Sequence, residues 1–270
     1  MRERGAATCT CPARVGEQTR EADTCAVIVA GGVGLRFGDP RGKQYVTLCG
    51  MPLMCWPLLA LDRAPSIGHI VIVCSDERRG EVRDAVLPAV SLRHQVTLAP
   101  AGATRQDSVY SGLQAVPSGF QMVAIHDAAR PLVTTEDVET CIAALRNDPS
   151  LGGAICAART TDTLKLVEGQ TIVATPDRSY YWNALTPQVF RTATIRAAHR
   201  AARWDAYQGT DDASLIERRG GRVLCVETSR ANIKVTVPED YVIAQALMER
   251  RLMSEGCGLD DVVPQGGDVQ

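Results

Sequence analysis

Aromatic residues make up only 4% of this 270-residue chain, too few for the stacking platforms on which single-stranded nucleic acids are held. A surplus of one charge is missing too. Lys and Arg total 29 against 31 Asp and Glu, a net −2, so bulk charge recruits neither nucleic acid nor an anionic membrane surface. No apolar run approaches the roughly 20 residues of a bilayer span. Residues 1–24 carry charge without the apolar stretch of a signal peptide. These absences give the expectation of a cytoplasmic protein, with no nucleic acid or membrane partner, whose nucleotide ligand would be a small molecule.

Cysteine is not scarce, with ten residues, but no C-x-x-C pair occurs and only Cys9 and Cys11 lie close together, without evident partners for a metal. Cys25, Cys74, Cys156 and Cys225 fall within expected buried strands, where a thiol behaves as a small hydrophobe. Reduced thiols are expected rather than a disulfide framework.

What is present is an alternation of continuous apolar runs with helical patterns, the mark of an α/β protein with a mostly parallel sheet flanked by helices. Strands are expected at Cys25–Ala30, His69–Cys74, near Val96–Ala99, at Met122–Ile125, Gly153–Ala158 and Arg222–Glu227. Helices are expected from Pro52 to Ala64 with a kink at Pro57, from Glu77 to Val86, from Arg105, from a capped start at Thr134–Asp137, and over Thr194–Arg203, Asp212–Arg219 and onward from Pro238. Between Thr163 and Thr175 the pattern changes to that of a hairpin turning at Glu168-Gly169, an arm at about 159–178 leaving the sheet. The expected organisation is one domain over 25–253 between disordered tails at 1–24 and 254–270.

The strongest local signal follows the first strand: Ala30-Gly31-Gly32-Val33-Gly34-Leu35-Arg36-Phe37-Gly38, then Lys43. Glycines at the C-terminal end of a strand let backbone N–H groups reach phosphate oxygens, and ligands of open α/β sheets bind on that edge. A dinucleotide fingerprint fails because Phe37 stands where its third glycine belongs; a Walker A loop fails because Gly42-Lys43 is followed by Gln44. Arg36 and Lys43 add cations suited to the charge of a phosphoryl transition state. On its own the loop indicates phosphate binding and leaves the nucleotide open.

Ala30-Gly31-Gly32-x-Gly34-x-Arg36 with Lys43-Gln44-Tyr45 resembles the start of the 2-C-methyl-D-erythritol 4-phosphate cytidylyltransferases. Further similar blocks run to about Arg251: Arg105-x-Asp107-Ser108-Val109, His126-Asp127-Ala128-Ala129-Arg130-Pro131, Asp162-Thr163-x-Lys165, Ala184-Leu185-Thr186-Pro187-Gln188, Thr210-Asp211-Asp212-Ala213-Ser214 and Asn232-Ile233-Lys234-Val235-Thr236. The resemblance implies a Rossmann-like nucleotidyltransferase fold and a reaction of CTP with methylerythritol 4-phosphate, with Mg²⁺ or another divalent cation. It also implies a homodimer in which the arm serves the neighbour's site.

On this resemblance Arg36 and Lys43 hold the triphosphate, over a cradle of Ala30, Gly31, Gly32 and Gly34. Gly102, Ala103 and Ser108 surround the base and ribose, and Asp127 and Ala128 lie beside the nucleotide. Asp127, Arg130, Thr163, Arg178, Thr186, Thr210 and Lys234 form the acceptor site, with Arg178 and Lys234 clamping its phosphate. His126 is expected to pack rather than transfer protons. The sequence departs from the family where Gly42 replaces a usual Pro, Ala103 a side chain that is often acidic, and Asp212 a common Glu. A phosphate monoester is mostly dianionic at pH 7 and needs no general base, in keeping with the lack of an evident His/Asp or Ser/His pair. The nearest alternative is a ribitol-5-phosphate cytidylyltransferase; more distant ones are a nicotinamide-dependent dehydrogenase and a nucleotide-binding regulator without turnover.

Overall fold

The computed structural model describes residues 22–32, 36–39 and 42–255. The expected tails fall almost wholly outside these residues, as do Gly34, Cys9, Cys11 and Cys257. The chain runs through β1 (Thr24–Val29), the two-residue strands β2 (Thr47–Leu48) and β3 (Met51–Pro52), α1 (Cys55–Asp62), β4 (Ile67–Cys74), α2 (Arg79–Glu81), β5 (Val96–Pro100) and α3 (Arg105–Ala115). It continues through β6 (Met122–Asp127), α4 (Thr135–Asn147), β7 (Leu151–Arg159), β8 (Leu166–Glu168), β9 (Thr171–Ala174), β10 (Trp182–Arg191), α5 (Thr192–Trp204), α6 (Asp212–Glu217), β11 (Arg222–Glu227) and α7 (Pro238–Ser254).

Seven strands form one sheet in the order β11-β7-β10-β6-β1-β4-β5. All neighbours are parallel except at β10, which runs antiparallel to both β6 and β7. The central strands are apolar on both sides, and alternation divides them between two cores. Ala26, Ile28, Ile70, Ile72 and Ala124 face a layer containing α1 and α4. Val27, Val71, Val73, Val123 and Ile125 face α3, α5 and α6. A third cluster, with Leu48, Leu53, Leu132, Val235 and Met248, packs α7 over β2 and β3.

Several expectations need correction. No helix starts at Pro52: that residue pairs with Thr47 in β3, and α1 begins at Cys55, which puts Pro57 in its first turn. The missing amide of Pro57 is there one the helix could not use, so it costs little. The segment from Glu77 breaks into a 3₁₀ turn, α2 and a wider π-type turn, Val82–Val86. β6 continues through His126 and Asp127, which pair with Ile28 and Val29 of β1. β10 was not expected at all; its Thr186-Pro187 peptide is cis, and Pro187 breaks the alternation by which a strand is recognised. Cys225 is exposed, because β11 is an edge strand rather than a covered one. The hairpin does form, with β8 paired to β9 and its turn at Gly169-Gln170, one residue later than expected.

Candidate active site

Ladder hydrogen bonds extend past the C-terminal ends of the central strands and fix the loops there. Ala30 N–H donates to Val73 O at 2.8 Å, Ala101 N–H to Cys74 O at 2.9 Å, and Ala128 N–H to Val29 O at 3.1 Å. Three loops therefore open on one edge. Between the loops that follow β1 and β6 lies a cleft of about 100 Å³ lined by Ala30, Gly32, Lys43, Gln44, Asp127 and Lys234, among others.

The glycine loop is closed on itself by Gln44, whose Nε2 donates to Ala30 O at 2.7 Å and Gly32 O at 3.0 Å. Its outer limb rests on α7 through the rings of Phe37 and Tyr241, 6.3 Å apart. Two glycines divide the loop's duties. A Cβ on Gly31 would come within 2.4 Å of the Ala101 Cβ, whereas one on Gly32 would meet nothing within 4 Å among the described residues. Gly31 thus permits close packing and Gly32 leaves its backbone open to a ligand. Gly42 sits at φ +91°, a value closed to proline, so the departure from the family's usual residue comes with a different backbone path. Arg36 is exposed.

Asp127, at the end of β6, is the hub. Its Oδ1 accepts from Arg105 Nε at 3.0 Å and its Oδ2 from Lys234 Nζ at 2.7 Å, with Arg130 Nε 3.9 Å away. Burial alone would raise its pKa, but Arg105, Lys234 and Arg130 hold the carboxyl well below the usual range. Lys43 lies across the cleft. Burial first, and then the charge of Lys234, lower its pKa to about 8, against the opposing pull of Asp127.

Behind the hub the hydrogen bonds form a consistent chain. Asp127 N–H donates to Thr186 Oγ1 at 3.2 Å, Thr186 Oγ1 lies 3.0 Å from His126 Nδ1, and His126 Nε2 lies 3.2 Å from Arg130 O. A neutral imidazole with its proton on Nε2 satisfies all three contacts, and burial lowers the His126 pKa to about 4. The expected packing role of His126 is what the structure contains. Asn232 Nδ2 donates to Thr186 O at 2.8 Å and Arg130 Nη1 to Asn232 O at 2.8 Å, which ties the Lys234 segment to β10 and the Arg130 loop.

Gly102 and Ala103 line a wider groove of about 530 Å³ with Asp107, Tyr110 and Arg203. Ser108 is buried beneath it, its Oγ donating to Thr104 O at 2.9 Å and accepting from Gly102 N–H at 3.0 Å. It therefore shapes the Gly102–Ala103 loop from below. Thr186, also buried, spends its hydroxyl in the chain just described. Thr163, Arg178 and Thr210 are exposed. Arg178 Nη1 donates to Thr161 O at the base of the arm. Sequence reasoning did not assign roles to Gln44, Arg105, Asp212 or Asn232, although all four stand inside the similar blocks; bridging across elements has no signature in one dimension.

Among the described residues no group of three or more His, Cys, Asp or Glu is placed to hold a metal ion, and no helix is long and apolar enough to cross a membrane.

A family model described as 2-C-methyl-D-erythritol 4-phosphate cytidylyltransferase matches residues 24–250. Proteins of that name from Syntrophotalea carbinolica and Microcystis aeruginosa are 43% and 40% identical to the chain. The alignments cover 83% and 84% of it and 95% and 99% of those relatives. The crystal structure of 4-diphosphocytidyl-2C-methyl-D-erythritol synthase from Anaerococcus prevotii superposes with a TM-score of 0.74 at 27% identity, covering 84% of this chain and 98% of that one. The Thermus thermophilus 2-C-methyl-D-erythritol 4-phosphate cytidylyltransferase superposes at 0.66 and 27%, covering 83% and 98%.

Proposed function

The chain belongs to the 2-C-methyl-D-erythritol 4-phosphate cytidylyltransferase family, and from that membership we propose how its residues divide the work. The activity is the family's: transfer of the cytidylyl group of CTP to 2-C-methyl-D-erythritol 4-phosphate in the non-mevalonate isoprenoid pathway.

Lys43, Arg36 and the open backbone at Gly32 receive the triphosphate, together with Gly34, while Gly31 lets the loop pack closely against Ala101. The base lies against Gly102 and Ala103 in the wider groove. The acceptor phosphate is held by Lys234, with Asp127 and Arg130 toward its hydroxyl groups. Two observations support this division. Lys43 and Lys234 both line the small cleft with Asp127, so two polyanions meet between two fixed cations. Arg130 Nε lies 3.9 Å from the same Asp127 carboxylate, which sets a third cation on the acceptor side.

The chemistry asked of these residues is alignment and charge neutralisation. An acceptor oxygen attacks the α-phosphorus, pyrophosphate departs, and negative charge grows on the phosphoryl oxygens. Preorganised cations in a partly dry cleft favour that state over the ground state. A divalent cation fits this site only as a passenger on the triphosphate, since both Asp127 oxygens are engaged by cations. Bound there it would neutralise phosphate charge.

Thr163 and Arg178 are proposed to complete the site of a second copy in a homodimer, with Thr210 and Thr186 on the acceptor side. The arm supports this: Leu166, Val167, Ile172 and Val173 are each more than half exposed, and an isolated two-stranded ribbon is only marginally stable. Turnover tests the function. Pyrophosphate release with CTP, Mg²⁺ and methylerythritol 4-phosphate is expected, and release only with ribitol 5-phosphate, or none with either, would overturn it. Mixing Arg178→Ala with Lys43→Ala subunits tests the arm: recovery of activity in mixed dimers is expected, and none would remove the arm from the neighbour's site.

A further inference from the structure

Beneath the cleft lies a second layer of charge to which the nucleotidyl transfer assigns no part. Arg105, the first residue of α3, bridges two carboxylates on different elements. Its Nε reaches Asp127 Oδ1 on β6 at 3.0 Å and its Nη1 reaches Asp212 Oδ2 on α6 at 2.8 Å. The other oxygen of Asp212 lies 3.0 Å from Nε2 of His199 on α5. Asp212 and His199 are essentially without solvent contact, at 1% and 0% exposure, whereas the Arg105 side chain is 30% exposed. His199 Nδ1 has no hydrogen-bond partner among the described residues, so the contact of Nε2 with Asp212 is the polar tie that fixes the ring.

The start of α6 is itself pinned. Gln188 of β10 donates to Asp211 Oδ2 at 2.8 Å and accepts from Ala213 N–H at 3.3 Å. Asp212 is therefore a fixed point, and Arg105 transmits its position to Asp127. A buried ion pair is a weak source of net stability because desolvation offsets the attraction. Its consequence here is geometric: with Oδ1 of Asp127 held by Arg105, Oδ2 points at Lys234.

We propose that Asp212, acting through Arg105, is a positioning residue for cytidylyl transfer: it sets the orientation of Asp127 and thereby the place of the Lys234 ammonium. This rests on the assignment of Asp127 and Lys234 to the acceptor side. Without the anchor, Arg105 is free to turn toward solvent and Asp127 loses its fixed rotamer. Misplacement of a positioning group by about an ångström costs on the order of 10²-fold in rate.

The test is a double-mutant cycle on kcat/KM for the acceptor at saturating CTP, with folding followed by circular dichroism. Asp212→Asn keeps the shape and removes the charge that holds Arg105. It is expected to lower kcat/KM by about 10²-fold in the otherwise native enzyme. In an Asp127→Asn background, where there is no carboxylate left to orient, the further loss should be less than about threefold. Equal losses in both backgrounds, or native kcat/KM in Asp212→Asn alone, would overturn the proposal. If Asp212→Asn does not fold, Arg105→Lys, which keeps the charge but cannot span both carboxylates, runs through the same cycle under the same criteria. Absence of product from the native enzyme would instead overturn the functional reading on which the proposal stands.

Discussion

Lys234 and Asp127 are 107 residues apart in sequence, and Lys234 Nζ donates to Asp127 Oδ2 at 2.7 Å. The Lys234 side chain is 36% exposed and the Asp127 side chain 9%. The carboxylate thus sits as a nearly buried fixed base, while the ammonium lies at the cleft mouth, where it can exchange partners. On the proposed assignment of Lys234 to the acceptor, an arriving phosphate dianion competes with Asp127 for the ammonium, and Arg105 keeps Asp127 neutralised meanwhile.

Lys234→Ala follows from this exchange. With CTP saturating, kcat/KM for the acceptor should fall by about 10²–10³. The folded state should lose only about 0–1 kcal/mol, because Lys234 is partly exposed and Arg105 remains to neutralise the nearly buried Asp127. Steady-state kinetics and thermal unfolding of the same variant check both halves.

Lys43 carries a charge that the folded protein disfavours. Its pKa is about 8 in the native state, below the ordinary lysine value of about 10.4. Between these values the unfolded chain binds more protons, so the Lys43 contribution to stability rises with pH. Lys43→Met should therefore be more stable than the native sequence at pH 7, with an advantage that shrinks as pH rises through 8. The same titration removes a triphosphate contact, so kcat/KM for CTP should fall above about pH 8. Unfolding temperatures of both proteins from pH 6 to 10 measure the first effect and initial rates the second.

His126 works on the acid side. Its folded pKa of about 4 lies below the unfolded value of about 6.5, so the unfolded chain takes up a proton that the native state refuses. Stability from this group is present above pH 6.5 and is lost as pH falls toward 4. A His126→Asn variant should show a flatter unfolding midpoint between pH 6.5 and 4 than the native protein. An equal slope in both would show that the acid sensitivity comes from another group.

Much of this was legible in one dimension. Apolar runs gave the parallel strands, Thr134 with Asp137 forms the expected capping box at α4, and Pro238 opens α7 as its position predicts. The loop from Gly31 to Lys43 was found because glycine spacing at a strand end has a local cause. β10 has no such sign, because Pro187 interrupts its alternation and its pairing with β7 breaks between Ala184 and Gln188. The network of Arg105, Asp127, Asp212 and His199 had no local sign, since each member comes from a different element and only the sheet order brings them together. The similar blocks imply ligand contact for Ser108 and Thr186; in the fold their hydroxyls also bond to Thr104 O and His126 Nδ1, contacts that one dimension does not show.

The glycine loop gives a matched pair of variants. Gly31→Ala drives a methyl group to 2.4 Å from the Ala101 Cβ and should destabilise the fold by about 1–3 kcal/mol, the usual cost of overpacking. Gly32→Ala meets nothing within 4 Å among the described residues, so its unfolding temperature should match the native one while its KM for CTP rises. The reverse pattern would mean that Gly31, rather than Gly32, faces the ligand.

Phosphorus-31 NMR of the reaction mixture decides most directly whether two cations bring two polyanions together for transfer. With CTP, Mg²⁺ and 2-C-methyl-D-erythritol 4-phosphate, the native enzyme should yield the coupled pair of resonances of a cytidyl diphosphate alcohol and an equal amount of pyrophosphate. Lys43→Ala and Lys234→Ala should each yield neither at comparable enzyme and time. Formation of CMP and pyrophosphate without the diphosphate linkage, or unimpaired linkage formation in either variant, would contradict it.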